Sequence, residues 1–485
     1  MEKIIESKIK ARVAEAIQKA IDDGSLSLEA VPEIHLETPN IPQHGDYATN
    51  VSLQLARTLR MAPMKIADAI AKRMEVTGEL FEKVMVAPPG FINFYLKDRA
   101  VSGVISQVLS AGDRYGSSAI GGGKKVNVEF VSSNPTGPLT IGHGRQATLG
   151  DVISNCLSFC GYDVTREYYY NDAGKQMDML ARSVHARYQQ IFDPAFPFPG
   201  EGYQGDYIKD VAEDIRKQEG EKFVGKDDKE TIDFFRQFAV REMIALIDRD
   251  LKIYGVRFDV WSLESALYNE GKVERALGLL RERGFLYEKD GAVWFRSTDF
   301  GDDLDRVVRR SNGALTYFAG DIAYHMDKRE RGFDRAIDIW GADHHGYVPR
   351  MMAVIKALGY PDDFLECIVH QMVSFMRDGK EIKMSTRAGQ FVTLDELVRE
   401  VGLAVTRFFF LMRSYDSQLV FDFDLAKKES NENPVYYIQY AHARISSIMK
   451  HAVSKNLDLK RINQADLSLL KEPEEVDLMK YLSKF

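Results

Sequence analysis

The spacing of apolar residues changes period along the chain and marks out its elements. Ile4, Ile5, Ile9, Val13 and Ile17 recur every three to four residues among charged ones, which predicts an amphipathic helix over 3–22. Helical spacing returns at 49–60 and 64–75 and alternates with short extended runs at 34–36 and 91–95, so residues 1–112 read as an α+β domain. Residues 113–124, with Gly121-Gly122-Gly123, have the composition of a linker. The pattern then changes. Val126, Val128, Phe130 and Val131 form a dense, β-branched run that suits a buried strand. Asn134, Pro135, Gly137, Pro138, Gly142 and Gly144 interrupt regular structure. Leu149, Val152, Ile153, Cys156, Leu157 and Cys160 resume helical spacing, Gly161 ends that helix, and Val164–Tyr170 reads as the next strand. Strand, helix and strand at these lengths make a βαβ unit, hence a parallel sheet with a right-handed crossover.

Residues 190–235 read as irregular and charged, with Pro194, Pro197 and Pro199, at the start of an insertion over about 190–310. Helices are expected at 236–256 and 269–284. Asp290-Gly291 between apolar runs predicts a hairpin, and Asn312-Gly313, between 307–308 and 315–318, a second. Residues 336–340 read as a buried strand that runs out into Gly341–Gly346, and 368–375 as a final strand. A catalytic α/β domain over 125–392 follows from this order, then a connecting helical segment at 393–432. From 433 to 485 the pattern is helical, with Val435, Ile438, Ala441, Ile445 and Ile448 on one face.

With 45% hydrophobic and 28% charged residues, the composition is that of a soluble globular protein. The net charge of −8 argues against a chain wholly devoted to nucleic acid, although local patches decide steering. Three cysteines make no disulfide framework. With no signal peptide and no membrane-length apolar run, a cytoplasmic location is expected. Cys156 and Cys160 lie one helical turn apart without further ligands nearby and read as packing residues. Asp343, His344 and His345 are adjacent; in an extended segment they point to alternate faces, so no protein-held metal is expected there.

Thr140-Ile141-Gly142-His143-Gly144 lies where the helix after the first strand begins. A helix N-terminus offers free N–H groups and partial positive charge to a phosphate. Glycines admit close approach of a ligand, and His143 can donate to charge developing on a phosphoryl group. The polar segment 378–389 carries Lys380, Lys383 and Arg387 between glycines and can close over a triphosphate. Ligands of open α/β sheets sit beyond the carboxyl ends of strands, which puts Asp343–His345 near the mouth of a site.

Together these two stretches resemble the H-x-G-H and K-M-S-K-S signatures of class I aminoacyl-tRNA synthetases. NPTGPLTIGHGRQA at 134–147, NDAG at 171–174 and KMSTRAG at 383–389 resemble the arginyl-tRNA synthetase family. The likeness runs from GDYATN at 45–50 to YYIQYAHAR at 436–444. It implies a Rossmann-like parallel-sheet catalytic domain, an N-terminal α+β domain that binds the tRNA body, and a C-terminal α-helical anticodon-binding domain, of which 433–485 would be an apparently truncated part. It implies activation of L-arginine by ATP with Mg²⁺, then transfer of arginine to the 3′-terminal ribose of tRNA(Arg). By the same resemblance His143 and Lys383 are catalytic, and Thr140, Gly142, His143, Gly144, Lys383, Met384 and Ser385 bind ATP. Glu129, Ser132, Asn134, Tyr317, Asp321 and His344 would form the arginine pocket, with Glu129 and Asp321 as carboxylates for the guanidinium fork. Tyr47, as an exposed ring stacking on a base, and Tyr437, Tyr440 and Arg444 would touch tRNA. The tyrosines at 437 and 440 read equally well as the edges of a core helix. Two positions depart from the family pattern: Thr140 replaces the first histidine, and Arg387 the second lysine. A monomer is expected. Two rival readings remain. A nucleotidyltransferase with a small-molecule acceptor would need neither the N-terminal domain nor the helical C-terminal segment. A non-catalytic tRNA-binding relative would have little reason to keep both His143 and Lys383.

Overall fold

A computed structural model of the chain describes residues 4–39, 41–74, 76, 80–382, 392–458 and 465–485. Two compact units result: Met1–Ala119 with Ser447–Phe485, and Ile120–Ser446.

In the first unit, helix Ile4–Asp22 buries Ile9, Val13 and Ile17 completely, as its periodicity predicts. It shares a core with an antiparallel sheet ordered Tyr47–Thr49, Phe91–Leu96, Phe81–Ala87. Helix Pro473–Lys484 completes that core with Val476 and Met479. Tyr115 donates its hydroxyl to the Leu482 carbonyl at 2.5 Å, and Lys480 pairs with Asp46 at 2.8 Å. Tyr47 corrects an expectation. Its ring is 1% exposed inside this core and offers no face to a base. It belongs to a short strand buried along its whole length, not to a solvent-facing loop before a helix.

The second unit is built on five parallel strands, β1 (Lys125–Glu129), β2 (Asp163–Tyr170), β3 (Val260–Leu263), β4 (Arg335–Gly341) and β5 (Leu365–His370). They are ordered β5-β4-β1-β2-β3. Helix α1 (Ile141–Phe159) is the expected crossover from β1 to β2. Cys156 on α1 is exposed, so it is not a packing residue. Between β2 and β3 the chain inserts α2 (Lys175–Phe192), α3 (Asp206–Glu219) and α4 (Lys229–Ile253) around a core of their own. Residues 190–235 are thus largely helical. Ile208, Val211, Ala212 and Ile215 line the buried stripe of α3, a narrow pattern obscured by dense charge on its other faces.

Asp290 and Gly291 adopt φ of 52° and 73° and close the expected hairpin between Leu286–Lys289 and Ala292–Phe295. The turn at Asn312-Gly313 returns the chain for a single bridge, Arg309 to Leu315, because Tyr317 already opens helix α5 (Tyr317–Glu330). Residues Ala342–Tyr347 form a 3₁₀ turn, so Asp343–His345 are not extended. Helices Leu394–Val401 and Leu403–Leu411 break at Gly402, where φ is 86°. Helix Pro434–Ser454 is present, with Val435 buried and Ile438, Ile445 and Ile448 exposed. Among the described residues, no helix is long and apolar enough to cross a membrane.

Candidate active site

Strand β1 ends in a strained turn. Val131 and Ser132 adopt φ of 65° and 40°, a left-handed conformation that is unusual for any side chain and most so for a β-branched one. Such residues cost about 1–3 kcal/mol each and persist where neighbours over-determine them. The neighbours are specific. Ser132 Oγ donates to Glu129 Oε1 at 3.0 Å and accepts from the Tyr169 N–H at 3.1 Å. The Tyr168 hydroxyl donates to the Ser133 carbonyl at 2.8 Å and accepts from the Ser133 N–H at 3.1 Å. Asn134 accepts from the Asn171 N–H at 3.2 Å and donates to Gln176 at 2.7 Å. Ser132 and Asn134 are therefore fixed by the end of β2 and the start of α2.

Thr140 caps α1, and its N–H donates to His143 Nδ1 at 3.0 Å. With Nδ1 accepting, a neutral ring carries its proton on Nε2. Burial, helped by His370, lowers the His143 pKa to about 4, so the ring is a neutral donor at pH 7. Thr140 Oγ1 lies 3.1 Å from the same Nδ1, so the residue that replaces the first histidine fixes the ring of the second. Gly142 is exposed, and a Cβ there would approach only Thr140 Oγ1, at 3.6 Å. Gly144 is small for a different reason: its Cβ would stand 2.8 Å from both Leu394 and Phe410. The Arg145 guanidinium, wholly buried, donates to the carbonyls of Gln371, Ser414 and Ser417 at 2.8–3.1 Å. Lys383, Met384, Ser385 and Arg387 lie outside the described residues. The chain just beyond them returns to the signature: the Ile141 N–H donates to Val392 and the Leu394 N–H to Leu139, at 3.3 and 2.9 Å.

Burial, then the charges of Glu264, Asp321 and Glu129, raise the pKa of the Tyr169 hydroxyl on β2. Asp321, in the second turn of α5, takes a short hydrogen bond from the Tyr347 hydroxyl, and burial raises its pKa. Glu129 is committed on its other oxygen to Lys328, at 2.6 Å. Lys328 is fully buried and also meets Asp338 at 2.7 Å, while His325 holds the second Asp338 oxygen at 2.8 Å. Burial alone would raise Asp338; Lys328 and His325 hold it at about 2. For Glu129 burial prevails and the pKa rises despite Lys328. Glu264 was not apparent from the motifs. Burial, then the charges of Asp321 and Asp172, raise its pKa to about 7. It directly follows β3, the carboxyl-end position where ligands of such sheets bind, and that rule was the available signal. A Cβ on Gly320 would stand 3.2 Å from the Tyr268 hydroxyl and 3.5 Å from Glu264 Oε1, so α5 runs close beside both side chains.

Tyr317 is 63% exposed at the rim. His344 is exposed and pairs with Asp343 at 3.1 Å. Asn134, Thr140 and His143 open onto a cleft of about 780 Å³, whose far wall comes from the insert, through Lys175 and Arg182 of α2, Tyr207 of α3 and Tyr203 in the loop between them. Tyr437 and Tyr440 are exposed on helix Pro434–Ser454, and Arg444 donates to the Tyr440 hydroxyl at 3.1 Å.

Residues 104–442 match the family described as tRNA synthetases class I (R), catalytic domain, and residues 7–96 the arginyl tRNA synthetase N-terminal domain. Among similar curated proteins, the arginine–tRNA ligase of Syntrophotalea carbinolica is 49% identical over 481 residues, covering 99% of this chain and 87% of its own. That of Geobacillus thermodenitrificans is 48% identical over 482 residues, with 99% and 86% covered. The solved Thermus thermophilus arginyl-tRNA synthetase shares the fold at a TM-score of 0.72 and 20% identity, over 99% of this chain and 86% of that one. A helix N-terminus carrying a neutral, oriented histidine lies at the end of a parallel strand, an acidic pocket lies at the ends of its neighbours, and both fall within the matched catalytic segment: the chain belongs to the arginyl-tRNA synthetase family of class I aminoacyl-tRNA synthetases.

Proposed function

We propose that the chain is an arginine–tRNA ligase, which joins L-arginine to AMP at the expense of ATP and then transfers it to the 3′-terminal ribose of tRNA(Arg). The observation that carries the arginine reading is the acidic group at the carboxyl end of the sheet: Glu129 ends β1, Glu264 directly follows β3, and Asp321 sits on α5, whose Gly320 runs close beside Glu264. A guanidinium presents several N–H donors in a fixed fork, and buried carboxylates complement it. Glu129 already answers Lys328, so Asp321 and Glu264 supply the charge left for the substrate. Tyr317 forms the rim, and Ser132 and Asn134 hold the amino-acid end. His344 is exposed near Asp343 and serves as an outer contact.

In the first step a carboxylate oxygen of arginine attacks the α-phosphorus of ATP, and the bond to the departing pyrophosphate breaks. Such transfers depend on positioning and charge stabilisation. His143 Nε2–H and the α1 N-terminus face the α-phosphate, with Thr140 holding the ring and Gly142 leaving room. Lys383, Met384 and Ser385 are assigned to the outer phosphates from the signature alone. In the second step a ribose hydroxyl attacks the activated carbonyl and AMP leaves. Among the described residues no group of three or more His, Cys, Asp or Glu is placed to hold a metal. Mg²⁺ is assigned to the nucleotide it accompanies, where it would share the charge of the outer phosphates, and no step is routed through it. Tyr437, Tyr440 and Arg444 remain as RNA contacts; Tyr47, being buried, does not.

The test is ATP–pyrophosphate exchange with each amino acid in turn, in the presence of bulk tRNA. Exchange with arginine alone is expected. Exchange with a different amino acid would overturn the pocket. No exchange, together with retained tRNA binding, would favour the non-catalytic reading.

A further inference from the structure

The loop from Ser133 to Thr140 makes one backbone hydrogen bond within itself, Thr136 N–H to the Asn134 carbonyl. Its shape is set from outside, by Tyr168 at one end and by the chain at 392–394 at the other. Its middle is held by the inserted helices. Tyr207, in the first turn of α3, donates its hydroxyl to the Thr136 carbonyl at 2.7 Å. The ring lies so close to Gly137 that a Cβ there would stand 2.8 Å from the hydroxyl oxygen and 2.9 Å from Cζ. Gly205 lets the ring fold back over its own chain, since a Cβ at 205 would meet Tyr207 Cε1 at 2.3 Å. Four residues past Thr136, the same loop delivers Thr140, which holds His143.

We propose that Tyr207 is a positioning residue for adenylate formation: by clamping Thr136 and Gly137 it makes the helical insert set the geometry of the phosphate-facing loop. The proposal rests on the ligase reading, because that reading gives the loop its nucleotide. Tyr207 touches neither Asp321 nor Glu264. Asn134, the loop residue assigned to arginine, is held on its side chain by Asn171 and Gln176, so the effect of Tyr207 belongs to ATP and to turnover, not to arginine affinity.

The test uses the full chain and its Tyr207→Phe, Gly137→Ala and doubly substituted forms in arginine-dependent ATP–pyrophosphate exchange. Tyr207→Phe keeps the ring and removes one hydrogen bond. Its kcat is expected to fall about three- to tenfold with a raised KM for ATP, while KM for arginine and the thermal midpoint stay unchanged. Gly137→Ala should also lower kcat, and the double variant should lose less than the product of the two, because both substitutions disturb the same contact between the Tyr207 ring and the loop. Wild-type kcat in Tyr207→Phe, or a double variant equal to the product, would overturn the clamp. A loss that follows a lowered thermal midpoint, or an equal rise in KM for arginine, would assign Tyr207 a merely structural role. Absence of exchange in the unsubstituted protein would overturn the ligase reading alone. Hydrogen–deuterium exchange over residues 133–141 then decides the clamp: faster exchange in Tyr207→Phe supports it, and unchanged exchange removes it.

Discussion

At the scale of single residues, protonation decides what the site can do. His143 is neutral because burial holds it at about 4, so it acts through one N–H and not through charge. His143→Ala is expected to lower turnover in pyrophosphate exchange about 10²–10³-fold, as loss of a single preorganised donor does elsewhere. Glu264, at about 7, behaves differently. A guanidinium favours the ionised carboxylate, so arginine binding expels a proton and a proton competes with arginine. KM for arginine is expected to rise as pH falls from 8 to 6, and Glu264→Gln should flatten that dependence. The sign for stability is the reverse. A raised carboxyl pKa means that the fold prefers the protonated form, so Glu264 costs stability as pH climbs from the unfolded value, about 4.3, through 7. Glu264→Gln should therefore raise the thermal midpoint at pH 8. Sequence pointed to His143 through a local motif and to Asp321 through the family resemblance. It hid Glu264 and Tyr207 because their importance lies in what the fold brings to them from elsewhere in the chain. It misplaced Tyr47, since burial on both sides of a three-residue strand leaves no period to read.

At the scale of elements, β1, β4 and α5 are locked together by Glu129, Lys328, Asp338 and His325. Removing one member leaves a buried charge uncompensated. Lys328→Ala is expected to destabilise the second unit by about 3–5 kcal/mol in urea unfolding, whether or not substrate is present. The contribution of Asp338 persists above its unfolded pKa and is lost only as pH falls toward about 2. The strands of this sheet were legible as dense apolar runs, and the Asp290-Gly291 hairpin as turn chemistry. The inserted helix α3 was not, because a narrow stripe of four apolar residues among charges looks like loop until another helix covers it. The 3₁₀ turn at 342–347 was likewise hidden, because a glycine after a strand does not say how the chain turns.

At the scale of the whole molecule, each unit has a core of its own, and the proposed arginine and ATP sites fall in the second. Calorimetry is expected to resolve more than one transition. Arginine with ATP should raise only the transition of residues 120–446, by about 2.7 kcal/mol at a hundredfold excess over Kd. The sequence reading set residues 1–112, 125–392 and 433–485 apart as three domains, whereas residues 447–485 share a unit with 1–119, since an amphipathic helix does not declare which surface it covers. That arrangement has a consequence on the ribosome. Residues 1–119 emerge first, yet Val476 and Met479, which finish their core, are made only after the whole of 120–446. At elongation rates of about 5–20 residues per second, the wait lasts roughly 20–70 s. Throughout it the nascent N-terminal domain carries an uncovered apolar face, a natural landing place for chaperones, while the catalytic sheet is still being translated behind it.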